Sequence, residues 1–285
     1  MLLKQLKIKM HFAKINGLRL SYQIYGTGFP IIFIHGYGAK KEIWKTQIAD
    51  ISKKFQAITF DIRGTGESDR PNIPYTMKML ADDVKGLMDF IGVEKVHLIG
   101  RSFGGMIAQH FVLQYPEKVE KLVLIATNFG RTDTDWVEIP KNGRLEEIEI
   151  IKHDPLKAFK QKSRWVFHVK FRKEMEANPS KRFFGIFSME DLIKEGTINP
   201  STPQDVINQA EAMKTHYTLD KLHEIKNKTL LIAASHDRQT PVSIMSEMHK
   251  KIPNSELKVI NEAGHFMTLS KAPEVNEIIL NFLKN

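Results

Sequence analysis

The stretch KVHLIGRSFGGMIAQHFVLQY, residues 95–115, decides the fold. Residues 95–100 form the apolar run of a buried strand, and residues 103–115 have the length and apolar spacing of a helix. Between them stands Gly100-Arg101-Ser102-Phe103-Gly104, a G-x-S-x-G pattern with no room for a loop. A serine on so tight a strand-to-helix turn is held proud of the backbone, and flanking glycines let neighbouring chain pass close by. The Phe103 amide, at the helix N-terminus, points where an oxyanion would form. Ser102 is therefore the candidate nucleophile; the rival reading is a glycine-rich turn with a surface serine.

Working outward, the alternation of strand and helix signals continues on both sides. Residues 8–14 and 18–25 are extended runs joined at Asn16-Gly17, a hairpin signal. Residues 31–34, 55–60 and 119–127 read as strands, and 42–53 and 76–91 as helices. Residues 128–226 lack a convincing parallel strand and read as polar loop plus helices at 155–171, 185–195 and 203–224. The rhythm then resumes with strands 229–234 and 256–260 and helices 242–251 and 272–284. This predicts an α/β fold, a mostly parallel sheet covered on both faces. The core would comprise 1–127 and 227–285, with 128–226 as a helical cap.

The bulk properties narrow the class. Of 285 residues, 42% are apolar and 26% charged, an ordinary globular balance. With no Cys, thiolate nucleophiles and disulfides are excluded. The start, MLLKQLKIKM, spaces lysines through the region where a signal peptide needs a continuous apolar stretch, so a cytoplasmic protein without a membrane partner is expected. The formal charge is +9, and the densest basic stretch, 152–182, holds ten Lys/Arg against three Asp/Glu. Lysines scattered along the chain are not the clustered arginines of a phosphate-tracking protein, so no nucleic-acid partner is expected. Asp61-Ile62-Arg63-Gly64-Thr65-Gly66-Glu67-Ser68 fits neither phosphate-loop pattern and reads as a buried turn.

A serine nucleophile needs a base and a group to orient it. His265 lies just beyond the last strand, at the sheet edge where ligands of open α/β sheets bind. Asp237 follows strand 229–234 and completes the chain order Ser102, Asp237, His265. Asp133, Asp135 and Asp220 remain alternative acids. His35-Gly36-Tyr37-Gly38 closes strand 31–34, and its Tyr37 amide, with that of Phe103, is assigned to the oxyanion hole; His35 reads as structural. Trp44, Trp136, Trp165, Phe167, Phe171, Phe183, Phe184, Phe187, Met213 and Phe266 are candidates for an apolar substrate pocket or for packing.

These motifs together resemble the α/β-hydrolase superfamily over nearly the whole chain: HGYG at 35–38, D-x-R-G-x-G-x-S at 61–68, G-x-S-x-G-G at 100–105, and D-x-x-x-P at 237–241 followed by Gly264-His265. The resemblance implies an eight-stranded, mostly parallel sheet with an antiparallel first hairpin, a cap inserted after the sixth strand, and no metal or organic cofactor. Serine at 102 points to the serine-nucleophile branch, and residues 35–71 look like those of carboxylesterases and 3-oxoadipate enol-lactonases. The implied activity is hydrolysis of a small-molecule ester or lactone through an acyl-enzyme. A meta-cleavage carbon–carbon hydrolase, an acyltransferase or perhydrolase, and a non-catalytic binding protein on the same scaffold are the alternatives. Phe266 stands where carbon–carbon hydrolases usually carry Trp. Arg101 replaces the neutral residue or His common before the nucleophile, and Ser235 replaces a frequent Glu.

Overall fold

The computed structural model describes residues 11–284. The start of the first expected strand, at 8–10, and the lysine-dotted first ten residues lie outside the described residues. β1 (His11–Ile15) and β2 (Leu18–Tyr25) form the antiparallel hairpin, with Asn16 at φ +50° and Gly17 at φ +77° making the turn. β3 (Pro30–Ile34), α1 (Lys45–Ile51), β4 (Gln56–Phe60), α2 (Met77–Phe90), β5 (Val96–Arg101), α3 (Phe103–Gln114) and β6 (Val119–Ile125) follow. The insertion carries α4 (Glu138–Ile151), α5 (Pro155–Val166), α6 (Val169–Ala177), α7 (Met189–Thr197) and α8 (Pro203–Lys214). The chain closes with β7 (Lys228–Ala234), α9 (Val242–Lys251), β8 (Ser255–Ile260), α10 (Met267–Ser270) and α11 (Ala272–Lys284).

The sheet has eight strands in the order β1-β2-β4-β3-β5-β6-β7-β8, and every pairing from β4 to β8 is parallel. Its central strands are continuous apolar runs because both faces are covered. On one face Leu80, Val84, Leu87, Ile107 and Phe111 of α2 and α3 pack against Ile32, Ile34 and Leu98. On the other, Ile48, Ile51, Val275 and Ile279 of α1 and α11 cover Ile31, Phe33 and Ile99. No helix among the described residues is long and apolar enough to cross a membrane.

The insertion departs from expectation in three places. Residues expected as polar loop form α4, despite Pro140 and Gly143; Pro140 falls in the first turn, where no intrahelical donor is lost. The helix expected at 155–171 is two helices, because Phe167 takes extended backbone and His168 Nδ1 accepts from the Lys170 amide to start α6. The helix expected at 203–224 ends at Lys214, and a 3₁₀ turn occupies 219–224.

The insertion leaves and rejoins the core through a two-stranded neck. Gly130 pairs antiparallel with Tyr217, and Thr218 N donates to Phe129 O at 2.9 Å. His216 is buried there, its Nε2 3.0 Å from Asn128 O and its Nδ1 3.1 Å from His110 Nε2 on α3. Burial pushes His35, His97 and His110 down to about 4, and His216, beside His110, to about 3. The folded state therefore binds fewer protons than the unfolded chain below the ordinary histidine range. Stability is complete above about pH 6.5 and is lost as pH falls toward about 4. Denaturant unfolding between pH 6 and 5 is expected to lose more than about 2 kcal/mol per pH unit; a slope below one proton's worth, about 1.4 kcal/mol per unit, would contradict neutral burial of these rings.

Candidate active site

The turn that carries Ser102, the candidate nucleophile, is built by close approach of three strand ends. Ser102 sits at φ +55°, ψ −120°, a conformation costly for a side chain, at the N-cap of α3. The surroundings enforce it: Ser102 N donates to Ile125 O at 2.9 Å, and Thr127 Oγ1 donates to Ser102 O at 2.8 Å. A Cβ on Gly104 would overlap the Ile34 carbonyl oxygen, so only glycine lets α3 start against the end of β3.

The turn after β3 lies against the serine. A Cβ on Gly36 would stand 3.4 Å from Ser102 Cβ, and the Tyr37 ring meets the Phe103 ring edge-on at 5.9 Å. Neither the Tyr37 nor the Phe103 amide donates to any described group outside the regular helix and strand ladders. Tyr37 Oη donates to Val206 O at 2.7 Å, and Gln209 Oε1 accepts from Gly38 N at 3.1 Å, so α8 fixes this turn. His35 is buried beneath it, Nε2 accepting from Ile62 N at 3.2 Å, in the structural role read from sequence.

Asp237 and His265 come together from loops after β7 and β8, 2.7 Å apart between Oδ2 and Nδ1. The carboxylate also accepts from Gln239 N at 2.8 Å, Thr240 N at 3.0 Å and Thr240 Oγ1 at 2.7 Å. Burial pushes the Asp237 carboxyl up, but His265 and Thr240 outweigh it and hold its pKa below the ordinary value. A proton on Nδ1 shared with Asp237 leaves Nε2 bare, the state a general base requires. The two loops are tied by His236 N donating to Ala263 O at 2.9 Å. Ser102 Oγ and His265 Nε2 are not hydrogen-bonded; in unliganded sites such bonds are often long and tighten when substrate docks. Of the alternative acids, Asp133 pairs with Arg131 at 2.8 Å on the exposed insertion, and Asp135 opens an exposed turn.

Sequence reasoning missed Thr240, which holds Asp237, and gave no account of Arg101. Arg101 is 2% exposed and, among the described residues, has no carboxylate partner within ion-pair distance. Its Nη1 reaches only His265 O, at 3.5 Å, its guanidinium lies 4.3 Å over the Phe266 ring, and Nε has no partner. Burial, opposed by Asp237 and reinforced by Arg144, lowers its pKa to about 10. A buried cation with no carboxylate paired to it costs stability, and here its contacts brace the His265–Phe266 loop against β5. Arg101→Met is accordingly expected to raise unfolding free energy by about 1–3 kcal/mol while lowering kcat. Denaturant melts and initial rates check this; a destabilised variant would show that the guanidinium is a net stabiliser.

Between the insertion and the core lies a cavity of about 390 Å³. Phe159, Val166, Phe167, Leu192 and Phe266 give it apolar walls, and Arg144, Glu147 and Lys162 a charged one. Arg144 donates to Gly38 O and pairs with Glu147, which also binds Lys162 at 2.9 Å. Burial raises the Glu147 carboxyl, but these two cations bring it down to about 2. Ser102 and His265 are not among its walls; Gly38 and Phe266, beside the candidate site, are.

The expected pocket residues divide. Phe266 and Phe167 line the cavity. Trp44 is buried against Phe33 on the far face of the sheet, and Met213 packs into the α2–α3 core layer. Trp136 packs at the edge of that layer. Phe171, Phe183 and Phe187 form an aromatic cluster within the insertion, from which Phe184 points outward. Trp165 corrects the expectation: it is 61% exposed on the outer side of α5, because the inner side carries Phe159 and Val166. None of Trp44, Trp136, Trp165, Phe187 or Met213 lines the cavity. Among the described residues, no three His, Asp or Glu side chains are grouped to hold a metal ion.

The same architecture recurs in characterised proteins. A 2-hydroxy-6-oxononadienedioate/2-hydroxy-6-oxononatrienedioate hydrolase of Paraburkholderia phymatum is 28% identical over 276 residues, covering 93% of this chain and 91% of that protein. A poly(3-hydroxyalkanoate) depolymerase of Ectopseudomonas oleovorans is 26% identical over 261 residues, covering 90% and 84%. A thermophilic esterase from Thermogutta terrifontis superposes with a TM-score of 0.80 at 25% identity, covering 97% of this chain and 98% of its own. The model of the alpha/beta hydrolase fold matches residues 30–144 and 160–272, which hold strands β3 to β8 and most of the insertion, and the chain belongs to that family.

Proposed function

We propose that the chain is a serine hydrolase that cleaves a carboxylic ester or lactone, with residues 128–226 as the cap over the site. The observation that carries this reading is the convergence at one sheet edge of three features. These are a serine at φ +55° on a strand-to-helix turn, the Tyr37 and Phe103 amides, which donate to no described group outside the regular ladders, and a histidine whose Nδ1 is held by a buried carboxylate. His265 Nε2 takes the proton from Ser102 Oγ as the oxygen attacks the acyl carbonyl, and the Tyr37 and Phe103 amides hold the resulting oxyanion. Collapse expels the alcohol, which takes its proton from His265, and leaves an acyl-serine. Water, deprotonated by His265, then attacks the acyl carbon and restores Ser102. For a lactone the freed alcohol is part of the acyl chain, so the second step releases a single hydroxy acid.

The poly(3-hydroxyalkanoate) depolymerase relative and the esterase neighbour fit this reading. A second reading, carbon–carbon hydrolysis, is favoured by the 2-hydroxy-6-oxononadienedioate relative. Hydrolysis of p-nitrophenyl esters of increasing acyl length separates the two. Turnover with a chain-length optimum supports the esterase reading and gauges the acyl pocket. No turnover on esters or lactones, with cleavage of a vinylogous 1,5-diketone, would replace it by the carbon–carbon reading.

A further inference from the structure

The opposite faces of α5 differ in kind. The inner face, with Phe159, Ser163 and Val166, walls the cavity. The outer face presents Leu156, Lys157, Lys160, Gln161, Arg164 and Trp165, spaced as two i, i+4 rows along the helix. Leu156 is 44% and Trp165 61% exposed, and Val169, at the start of α6, is exposed as well. Among the described residues, Lys157, Lys160 and Arg164 make no ion pair, unlike Lys162 on the inner face, which binds Glu147. Asp154, at the start of the helix, is engaged at the N-cap, accepting from Lys157 N at 2.8 Å.

We infer that this face docks the protein on an anionic lipid bilayer. The charge on the helix is complementary to acidic headgroups. Trp and Leu among cations with long apolar stems are suited to the headgroup–acyl boundary, where the stems lie along lipid and the charges reach the phosphates. Two of the three unpaired cations are lysines, a residue depleted in protein–protein interfaces and common on membrane-surface helices. Two copies of the face would repel each other, which disfavours self-association. Nucleic acid would leave Leu156 and Trp165 without partners. Docking in this way sets the cavity one helix thickness beneath the lipid surface. The inference departs from the sequence expectation of no membrane partner, and it does not depend on the catalytic reading.

The experiment is co-sedimentation of the full chain with phosphatidylcholine vesicles, with and without phosphatidylglycerol, alongside tryptophan emission. Of three tryptophans, Trp44 is buried and Trp136 packs on the core, so a blue shift on binding reports Trp165. Binding is expected only with phosphatidylglycerol and is expected to be lost in high salt. Lys157→Glu/Lys160→Glu/Arg164→Glu should weaken it on the order of 100-fold or more, about fivefold for each cation removed. Trp165→Ala should abolish the blue shift. A matched variant elsewhere, Lys14→Glu/Lys250→Glu/Lys251→Glu, should keep most of the binding. Absence of vesicle binding overturns the inference even if the face captures an acidic protein or nucleic acid. Equal loss in the two triple variants also overturns it, because the effect would then belong to the net charge of +9.

Discussion

Ser102→Ala is expected to lower kcat on any substrate the wild type hydrolyses by about 10⁴- to 10⁶-fold, leaving the fold intact. The reasoning starts from the backbone. Ser102 at φ +55° is held there by Ile125 O, Thr127 Oγ1 and the close passage of Gly104, none of which involves its own Oγ. Removing one oxygen therefore leaves these constraints in place and takes away the atom proposed to form the acyl bond. Binding should persist, because the cavity walls and the Tyr37 and Phe103 amides are untouched. A fluorophosphonate supplies an independent readout: attack by Ser102 Oγ expels fluoride and leaves a phosphonyl adduct visible by mass, on the wild type and not on the variant. Turnover within tenfold of wild type in Ser102→Ala would sink the nucleophile assignment.

Asp237→Asn should cost nearly as much, about 10⁴-fold in kcat with a much smaller change in KM. Both carboxylate oxygens are in use: Oδ1 accepts from the Gln239 and Thr240 amides, and Oδ2 from Thr240 Oγ1 and His265 Nδ1. An asparagine must keep its oxygen toward the two amides, which turns its NH₂ toward His265 Nδ1. That arrangement favours the tautomer with the proton on Nε2, which is no base toward Ser102. Asp133→Asn and Asp135→Asn, on the exposed part of the insertion, are expected to stay within about twofold of wild type. The reverse pattern, with Asp237→Asn active and either of the others dead, would move the acid to the insertion.

The parts legible in the sequence are those whose chemistry is local. The nucleophile turn needs consecutive residues of fixed type between a strand and a helix, and the buried strands announce themselves as apolar runs because helices cover both faces. Asp237 and His265 were readable from their places after the last two strands, although the hydrogen bond between them spans 28 positions. The insertion was much less legible. α4 is amphipathic only toward the cavity, through Ile148 and Ile151, and its Pro140 and Gly143 argue against a helix until the first turn is located. Arg144 matters through Gly38, 106 positions away, and Tyr37 through Val206, 169 positions away. No local pattern reports such pairings. Trp165 looked like a pocket residue for the same reason, since composition gives the residue and only packing gives the side of the helix it occupies.

The neck at Gly130 and Tyr217 has a consequence for how such a protein diversifies. Two residues that pair across an antiparallel bridge are about 5 Å apart at Cα, a gap that a tight turn closes. The chain from 131 to 216 is thus a loop tied at its base and exchangeable as a unit without re-registering any strand. The sheet, the strained serine and the Asp237–His265 pair all lie outside that loop, while Arg144, Val206 and Gln209, which bear on the Tyr37–Gly38 turn, lie inside it. An exchanged loop would keep the reaction and change its tuning, so a graft must supply its own braces for that turn to recover full rate.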